Sequence, residues 1–459
     1  MWARTFWRWA FVINSDRDKK KIVITDGLSS FKGKRVLLLQ GPVGPFFRRL
    51  AQDLTQAGAQ VFKVNFNGGD WLFYPGAEFN YRGNPQDWPA YFETLLEQLH
   101  FDVVMLFGDC RPIHRSVHVI AHRHGLEIGV FEEGYIRPHY VTLERFGVND
   151  YSPLPRSPLF YLNRPSPAIE APQPLGNTFY HTALWATLYY FAAGLLKPLF
   201  QKYRHHRPLN WLEILPWLRS IWRKRYYAFK ERGMQVRLTN KFAGRYFLVP
   251  LQVHNDAQIE KHSDYVSVEN FIEEVTASFA RHAPRGRLLV FKHHPMDRGY
   301  CDYAEFIVRC NKKYGLEGRC FYIHDQHLPT LLDHVCGVVV VNSTVGLSAI
   351  LHGAPVKVCG KALYNMNGLT FRRSLEKFWR EAKHAKPNPH LMKNFLDYLV
   401  AHSQLNGSFY KRLPVVASKT GFRWRLAEAG KMGPEEKILH AKHADDTASQ
   451  NENLCGGAE

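Results

Sequence analysis

Two adjacent acidic residues carry chemistry that a sugar-processing site could use. Glu132 and Glu133 follow an apolar run that ends at Phe131, and they precede Gly134 and Tyr135. A carboxylate presented at the end of a strand can act as nucleophile or base in the transfer of a sugar. The simpler interpretation is an ordinary Glu-Gly turn, and these residues alone leave it open.

Two later blocks carry residues suited to binding a phosphate. The sequence FKHHPMDRG begins at Phe291, and VVVVNSTVG begins at Val338. Each is an apolar run that ends in polar residues, and the second leads into an apolar helix. A helix start leaves backbone N–H groups and a positive dipole end facing one point, which favours a phosphate. The residues of these blocks that could contact a phosphorylated, nucleotide-linked ligand are Lys292, His294, Pro295, Asn342, Ser343 and Thr344.

Three basic residues follow neighbouring predicted strands in the first half of the chain. Arg111 and His114 lie in GDCRPIHR, and Arg137 lies in GYIRP. They could hold an anionic sugar or an acceptor phosphate, although each could equally form a surface salt bridge. His293 and His294 have no acidic or cysteine partner at ligand spacing, so no metal is expected.

The apolar pattern predicts the elements that position these blocks. The chain opens with a strand over Lys34–Leu39, a glycine-rich turn, a helix over Phe46–Gly58 and a strand over Val61–Phe66. The strands predicted after that are Val103–Phe107, Ile128–Phe131, Tyr246–Pro250, Leu288–Lys292, Phe321–His324, Val338–Val341 and Val356–Val358. Ligands of open α/β sheets bind outside the carboxyl ends of the strands. We therefore expect an α/β chain with two Rossmann-like domains that face each other.

The expected domain boundaries follow the changes in composition. They are an N-terminal tail over 1–32, a first Rossmann-like domain over 33–152, a basic aromatic insertion over 153–243, a second Rossmann-like domain over 244–375, C-terminal helices over 376–428 and a disordered tail over 429–459.

Charge and cysteine content limit the possible partners and compartment. Sixty Lys and Arg against 41 Asp and Glu give a formal net charge of +19, which favours nucleic acid, anionic lipid or a phosphorylated substrate. The seven cysteines form no CxxC pair, so a reducing cytoplasm fits best. The N-terminal aromatics are broken by arginines and do not resemble a signal peptide. The apolar run Ala183–Leu195 is shorter than the roughly 20 residues that cross a bilayer.

The insertion mixes aromatic with basic residues from Phe179 onward. Such a segment could stack on single-stranded nucleic acid, lie in a membrane interface, or form two packed helices with a solvated basic face. We favour the membrane interface, with Arg223, Lys224 and Arg225 among its contacts to anionic lipid. Nucleic acid is then not an expected partner.

Several blocks together resemble a known family. They are GDCRPIHR, FEEGYIRP, PLQVHNDAQI, KHHP, NSTVGLSAILHGAPV and the late NGSFY, spread over most of Lys34 to Tyr410. In this order they resemble the capsular-polysaccharide biosynthesis family of the KpsS/LipB type. The resemblance implies a GT-B glycosyltransferase, peripheral on the inner face of the cytoplasmic membrane. It implies that CMP-Kdo is the donor, that the first β-linked Kdo goes to lyso-phosphatidylglycerol, and that other capsule assembly proteins are partners.

The same resemblance implies roles for particular residues. Gln252 and the His294-Pro295 pair would contact the CMP, and Ser343 with Thr344 would take its phosphate. Related enzymes read Glu-Asp-Gly where this chain has Glu132, Glu133 and Gly134, so the catalytic carboxylate is expected at Glu133 with Glu132 sharing the task. A β-linked donor and a β-linked product imply retention, for which double displacement is the simplest route. CMP leaves with one phosphate, so no cofactor or Mg²⁺ is expected.

Two other classes of function stay open at this point. A GT-B transferase with another donor, such as CDP-glycerol or a UDP-sugar, would use the same architecture. A non-catalytic capsule scaffold or a nucleic-acid-binding protein would use the basic insertion alone. The acidic pair occurring together with all the donor blocks speaks against the scaffold.

Overall fold

The computed structural model describes residues 27–203, 214–254 and 263–424. Within these ranges the strands form two sheets, of seven and five strands. The strands are β1 Arg35–Leu38, β2 Gln60–Asn65, β3 Phe79–Asn80, β4 Val103–Phe107, β5 Glu127–Glu133, β6 Tyr140–Arg145, β7 Tyr246–Pro250, β8 Leu288–Lys292, β9 Cys320–Ile323, β10 Gly337–Val340, β11 Val356–Val358 and β12 Gln404–Asn406.

Helices connect and cover these strands. They are α1 Phe46–Gln56, α2 Gly68–Phe73, α3 Trp88–Leu99, α4 Pro112–Arg123, α5 Pro158–Leu162, α6 Phe179–Leu195, α7 Ile214–Lys230, α8 Met234–Thr239, α9 Val268–His282, α10 Ala304–Tyr314, α11 Leu328–Leu332, α12 Thr344–Leu351, α13 Leu375–Glu381 and α14 Pro389–Ser403. Short 3₁₀ turns occur at Leu28–Phe31, Pro85–Asp87, Asn149–Tyr151, Lys197–Phe200, Pro295–Asp297 and Ala382–His384.

The first sheet has the order β12-β6-β5-β4-β1-β2-β3. Strands β5, β4, β1, β2 and β3 run parallel, whereas β6 and β12 are antiparallel to their neighbours. Helices lie on both faces, and for this reason β1 and β4 are almost continuous apolar runs. The chain reverses its direction of strand addition between β1 and β4, so a crevice opens at their carboxyl ends.

The second sheet has the order β11-β10-β7-β8-β9, and all of its pairs are parallel. All residues of β7, β8 and β10 are buried, because helices again cover both faces. The order reverses between β7 and β10. The carboxyl ends of these two strands therefore bound a second crevice.

The C-terminal segment returns to the first domain. After α14, strand β12 pairs antiparallel with β6, and Leu405 and Phe409 enter the core between α1 and the sheet. A shared core also joins the two domains, because Tyr135 and Leu154 pack with apolar residues of β7, β8 and β10. Lys361 Nζ lies 3.7 Å from Asp150 Oδ2, which adds an ion pair between the two halves. The α/β architecture of two joined Rossmann-like units is thus confirmed.

Some predicted elements differ from the structure. Strand β5 continues through Glu133, because β6 pairs with it up to Glu133↔Val141, and neither β6 nor β12 was expected. Phe31, placed by the sequence in a tail, is fully buried against the first sheet. The first 26 residues and the tail predicted over 429–459 lie outside the described residues.

The insertion contributes one long helix to each domain. Helix α6 packs closely on α2 of the first domain. Gly68 permits this approach, because a Cβ atom at that position would lie 2.4 Å from the Ala192 carbonyl oxygen. Helix α7 lies on the second domain, where Arg223 donates to the carbonyls of Arg298, at 2.8 Å, and Cys301, at 3.2 Å. The expectation that Arg223 contacts lipid is therefore wrong, since its side chain is buried and only 8% exposed.

Candidate active site

The two acidic residues at the end of β5 point to different sides of the first sheet. Alternate residues of a strand share a face. Glu133 lies on the same side as Phe131, which packs with α1, and Glu132 lies on the same side as Val130, which packs with α4. The carboxylates are therefore adjacent in sequence but sit in different surroundings, which gives them different chemistry.

Glu132 is half-buried beside the turn that follows β4. A Cβ atom on Gly108 would lie 3.6 Å from Glu132 Oε2 and 3.6 Å from Arg111 Nε, so both side chains flank this glycine. Glu132 Oε1 accepts the Glu133 N–H at 2.9 Å. Burial raises the pKa of Glu132 to about 7, and the charges of Glu133 and Asp109 act in the same direction. A carboxyl with this pKa can gain or lose a proton near neutral pH.

Glu133 is held by a residue from the far end of the chain. The Tyr410 hydroxyl donates to Glu133 Oε1 at 2.8 Å. Tyr410 comes from the segment after β12, and its backbone carbonyl accepts the Trp185 Nε1–H at 2.9 Å. One carboxylate oxygen of Glu133 is thus fixed by a hydrogen bond. Sequence reasoning did not assign Tyr410 a role, although NGSFY was among the recognised blocks.

Gly134 is required by close packing at the same turn. A Cβ atom at this position would lie 2.0 Å from the Tyr140 carbonyl oxygen, closer than any side-chain carbon can approach. Only glycine lets the chain pass from β5 into the loop that precedes β6. The glycine of the acidic motif therefore sets the position of both carboxylates.

Arg111 spans the crevice of the first domain. Its Nη1 donates to Gln40 Oε1 at 3.0 Å and to the Gly41 carbonyl at 3.1 Å, which joins the loops after β4 and β1. Its guanidinium also lies 4.9 Å from the centre of the Phe107 ring. The arginine is thus placed at the switch point, beside Glu132, where a ligand of this sheet would bind.

His114 and Arg137 differ in access. The His114 ring is fully buried, and its Nδ1 lies 2.7 Å from the Gly108 carbonyl, so it supports the turn below the rim. This corrects the expectation that His114 holds an anion directly. Arg137 is exposed, and its Nε donates to the Gly134 carbonyl at 3.3 Å. It therefore remains available at the rim.

The crevice of the second domain is bridged by two of the predicted donor ligands. Gln252 follows β7 and Asn342 follows β10, and Gln252 Nε2 donates to Asn342 Oδ1 at 3.0 Å. This pair lies at the switch point of the second sheet. The two domains therefore share one arrangement, in which a side-chain hydrogen bond crosses the crevice.

His294 presents a defined hydrogen-bonding pattern. Its Nδ1 accepts the Met296 N–H at 3.2 Å and caps the 3₁₀ turn that begins at Pro295. Burial lowers the pKa of His294 to about 4, with a further contribution from the positive charges of Arg137 and Lys292. The ring is neutral at pH 7, and since Nδ1 accepts, the ring proton lies on Nε2. His294 can therefore donate a neutral hydrogen bond to a ligand.

Lys292 and His293 lie behind the rim. Lys292 Nζ donates to the His324 carbonyl at 2.9 Å, and the lysine is only 7% exposed. His293 Nδ1 lies 2.5 Å from the Tyr322 hydroxyl, and burial lowers its pKa to about 3. Lys292 thus supports the strand end, which corrects the expectation that its ammonium group reaches the donor.

The turn between β10 and α12 has the form expected of a phosphate cradle. Ser343 is the N-cap of α12, and its Oγ accepts the Val345 N–H at 3.2 Å. The Tyr364 hydroxyl donates to the Ser343 carbonyl at 2.5 Å, and a Cβ atom on Gly346 would lie 2.2 Å from that hydroxyl. Ser343 and Thr344 are both partly exposed at this helix start.

One group in the described part of the chain has the composition of a metal site. Ligand atoms of His254, Asp297 and Cys301 lie within 4.8 Å of one another. The buried Asp297 already accepts His254 Nδ1 at 2.5 Å and the His254 backbone N–H at 3.0 Å. These hydrogen bonds give each oxygen of the Asp297 carboxylate a partner, and they fix His254, two residues beyond Gln252.

The rims of the two domains influence each other electrostatically. After burial, the positive charge of Arg137, a residue of the first domain, contributes most to lowering the pKa of His294 in the second domain. Glu132, Glu133 and Arg137 belong to the rim of the first domain, and Gln252 with His294 belongs to the rim of the second.

Two Rossmann-like domains, each with a switch-point crevice, joined by a C-terminal segment that returns to the first domain, define a GT-B fold. The chain belongs to the capsule polysaccharide biosynthesis protein family, whose model matches residues 102–410. The family predicted from the sequence blocks is thereby confirmed.

Two curated relatives cover most of the chain. The chain is 42% identical over 383 residues to the capsule polysaccharide export protein KpsS of Escherichia coli, covering 82% of this chain and 97% of the relative. It is 39% identical over 412 residues to the capsule polysaccharide modification protein LipB of Neisseria meningitidis serogroup B, covering 87% of this chain and 98% of that protein.

A distant likeness to a solved structure also exists. The KpsC β-Kdo 2,7-transferase of Thermosulfurimonas dismutans is 15% identical with a TM-score of 0.38, covering 89% of this chain and 99% of that structure. Such a remote likeness does not transfer a reaction.

No helix among the described residues combines the length and apolar character needed to cross a membrane.

Proposed function

We propose that this protein is a retaining glycosyltransferase of capsule biosynthesis that transfers a β-linked Kdo from CMP-Kdo to lyso-phosphatidylglycerol. The observation that carries the proposal is a carboxylate, Glu133, held by the Tyr410 hydroxyl at 2.8 Å at a strand end of the first sheet, in a chain whose second sheet presents the neutral His294 at a strand end. The sequence resemblance supports the identity of donor and acceptor, and membership of a capsule biosynthesis family agrees with it.

The second domain binds CMP in this proposal. The partly exposed start of α12 meets the phosphate with backbone N–H groups and with the hydroxyls of Ser343 and Thr344. His294 donates from Nε2, and the bridged pair Gln252 and Asn342 contacts the nucleoside at the switch point. A nucleoside monophosphate suits this cradle because it carries a single phosphate.

The first domain carries out the transfer in two displacements. The oxygen of Glu133 that Tyr410 does not hold attacks the anomeric carbon of Kdo, and the bond to the CMP phosphate breaks with its electron pair. The acceptor hydroxyl then attacks the same carbon, the Glu133 ester bond breaks, and Glu132 takes the hydroxyl proton. Two inversions give retention. CMP leaves as a stable anion, so this route requires no metal ion.

The acceptor binds on the side of the cleft that carries Arg111 and Arg137, whose cations pair with the lipid phosphate. The protein works at the inner face of the cytoplasmic membrane, bound peripherally, beside other capsule assembly proteins. The exposed cations of α7, among them Lys224 and Arg225, attract it to anionic lipid.

The direct test mixes purified protein with CMP-Kdo and a fluorescent lyso-phosphatidylglycerol and follows the mass of the lipid. We expect a gain of one Kdo that persists in EDTA. Parallel reactions with a UDP-sugar and with CDP-glycerol distinguish a transferase with another donor. No product with any donor, together with wild-type binding to single-stranded nucleic acid, would favour the non-catalytic alternative.

Loss of the donor contacts should weaken CMP binding. We expect His294→Ala and Ser343→Ala each to lose roughly 1–3 kcal/mol of CMP binding free energy by calorimetry, the usual effect of removing a buried or charge-assisted hydrogen bond. Ser267→Ala is the matched control, since Ser267 caps α9 in the same domain, also through its Oγ. Unchanged CMP affinity in both site variants would remove the donor from the second domain.

Substituting the cations of α7 should have two different effects, one on lipid binding and one on stability. Lys224→Gln with Arg225→Gln alters only exposed side chains, so we expect weaker binding to phosphatidylglycerol vesicles at moderate salt, by about 1 kcal/mol per residue. Arg223→Gln should instead lower the melting temperature, because it leaves the Arg298 and Cys301 carbonyls and the Asp302 carboxylate without their buried partner. Vesicle co-sedimentation of the double variant equal to wild type would count against an electrostatic contact.

A further inference from the structure

Helix α6 exposes a continuous apolar stripe. Tyr180, Leu184, Leu188, Phe191 and Leu195 recur at spacings of four, four, three and four residues, which puts them on one side of the helix. They are 75, 51, 38, 68 and 67% exposed, respectively. The helix contains no Asp, Glu, Lys or Arg, and its 17 residues span about 25 Å. A contiguous exposed apolar surface of this kind marks an interaction site.

A second side of α6 is bound to the first domain by hydrogen bonds. The Tyr189 hydroxyl donates to Asp70 Oδ1 at 2.9 Å and accepts from Asn67 Nδ2 at 2.8 Å and Gln40 Nε2 at 3.3 Å. Tyr189 is 3% exposed, and a Cβ atom on Gly69 would lie 2.6 Å from its ring. This polar network and the two glycines of α2 fix the helix in one position.

These inner contacts reach both parts of the proposed acceptor rim. Gln40 also accepts a hydrogen bond from Arg111, at 3.0 Å, so Gln40 links Tyr189 to that arginine. Trp185 donates to the backbone of Tyr410, whose hydroxyl holds Glu133. Helix α6 thus lies against the acceptor side of the cleft, with its apolar stripe facing outward.

The chemistry of the stripe, together with that of α7 on the second domain, favours a lipid surface as the occupant. Helix α7 adds exposed aromatic residues beside exposed cations, with Trp222 stacked on Tyr226 at 5.3 Å and Lys230 5.5 Å from the Tyr226 ring. Aromatic rings and cations on short helices are typical of proteins that lie in the membrane interface. The net charge of +19 complements an anionic bilayer.

We infer that α6 is the surface that seats this protein on an anionic phospholipid bilayer, with its apolar stripe entering the interface. The helix brings the bilayer to the acceptor rim, where Arg111 pairs with the phosphate of a lipid that stays anchored by its acyl chain. The role of the acceptor rests on the proposed function, whereas the seating of α6 on lipid does not. Because α6 itself is uncharged, its contribution to binding is resistant to salt, in contrast to that of Lys224 and Arg225.

The test compares vesicle flotation of the wild type and the Leu184→Gln, Leu188→Gln, Phe191→Gln triple variant. Vesicles contain phosphatidylcholine with phosphatidylglycerol, and the salt is raised to about 0.5 M to screen surface charges. We expect the triple variant to lose about tenfold or more in partition coefficient at this salt. The matched control replaces three exposed valines outside α6, Val236, Val308 and Val415, with glutamine, and should float like wild type.

Two results would overturn the inference. One is a triple variant that floats as well as wild type. The other is a wild type that forms dimers without lipid and becomes monomeric with the triple substitution, which would make a second copy of the chain the occupant. Transfer to a short-chain, monomeric acceptor is measured in parallel. Normal transfer there with lost flotation supports the inference, and absent transfer with wild-type protein rejects the proposed function while leaving the flotation result intact.

Discussion

The Glu133→Gln protein should fold, bind CMP like wild type and transfer no sugar. Glutamine keeps the oxygen that accepts from Tyr410, so the hydrogen bond of 2.8 Å can persist and the turn should not move. The amide cannot form the glycosyl ester that the first displacement requires. We therefore expect the turnover number to fall by at least about 10³-fold, as for other enzymes that lose a nucleophile. Mass spectrometry of the lipid product and calorimetry with CMP measure the two quantities separately.

The control for this variant is Glu97→Gln, an exposed carboxylate on α3 of the same domain, which should behave like wild type. Normal turnover of Glu133→Gln together with an inactive Glu132→Gln would reverse the two roles. If both variants remain active, the acidic motif is structural and the double displacement is wrong.

The parallel strands were predictable because of how they are buried. Strands β4, β7 and β8 begin and end where the sequence predicted, since a strand covered on both faces leaves an almost continuous apolar run. Strand β12 has the sequence QLN and only three residues, so it has no such run. Its position depends on pairing with β6, a partner more than 250 residues earlier in the chain.

The candidate site was predictable where it depends on strand ends. His294 and Ser343 could be grouped because parallel strands present their carboxyl ends at one edge, whereas Gln252 was assigned from the family resemblance. Their order in the sheet makes β7 the neighbour of both β8 and β10, and this brings Gln252 within 3.0 Å of Asn342. The sequence does not indicate which polar residue at a strand end turns inward, and for this reason Lys292 was assigned to the donor although its Nζ bonds the His324 carbonyl.

The contacts of the insertion were beyond sequence reasoning for a different reason. Arg223, Lys224 and Arg225 are three consecutive cations, and their chemistry alone does not separate them. On a helix they point in three directions, and Arg223 alone of the three faces the second domain.

Tyr410 was missed because its partner, Glu133, lies 277 residues away. The block NGSFY, which ends at Tyr410, was the sequence signal that pointed to this region of the chain.

The pH dependence of transfer should show an ionisation near 7 that belongs to Glu132. Burial raises the pKa of this carboxyl to about 7, so below that pH Glu132 keeps its proton and cannot act as the base for the acceptor hydroxyl. We expect kcat/KM to rise through pH 7 and level off above it. Glu132→Gln should lower the plateau by about 10²–10⁴-fold, the usual contribution of a general base, and should remove the rise.

The stability of the protein provides an independent check on the same group. A carboxyl whose pKa is raised by folding binds its proton more tightly in the folded state than in the unfolded state. The contribution of Glu132 to stability is therefore present below its ordinary pKa, near 4.5, and is lost as the pH rises to about 7. The free energy of unfolding of Glu132→Gln should therefore decrease less than that of wild type between these pH values. A rise in kcat/KM near pH 7 that survives in Glu132→Gln, with the same pH dependence of unfolding as wild type, would assign the ionisation to another group. Glu132 would then have no part in proton transfer, and the acceptor hydroxyl would need a base from elsewhere in the cleft.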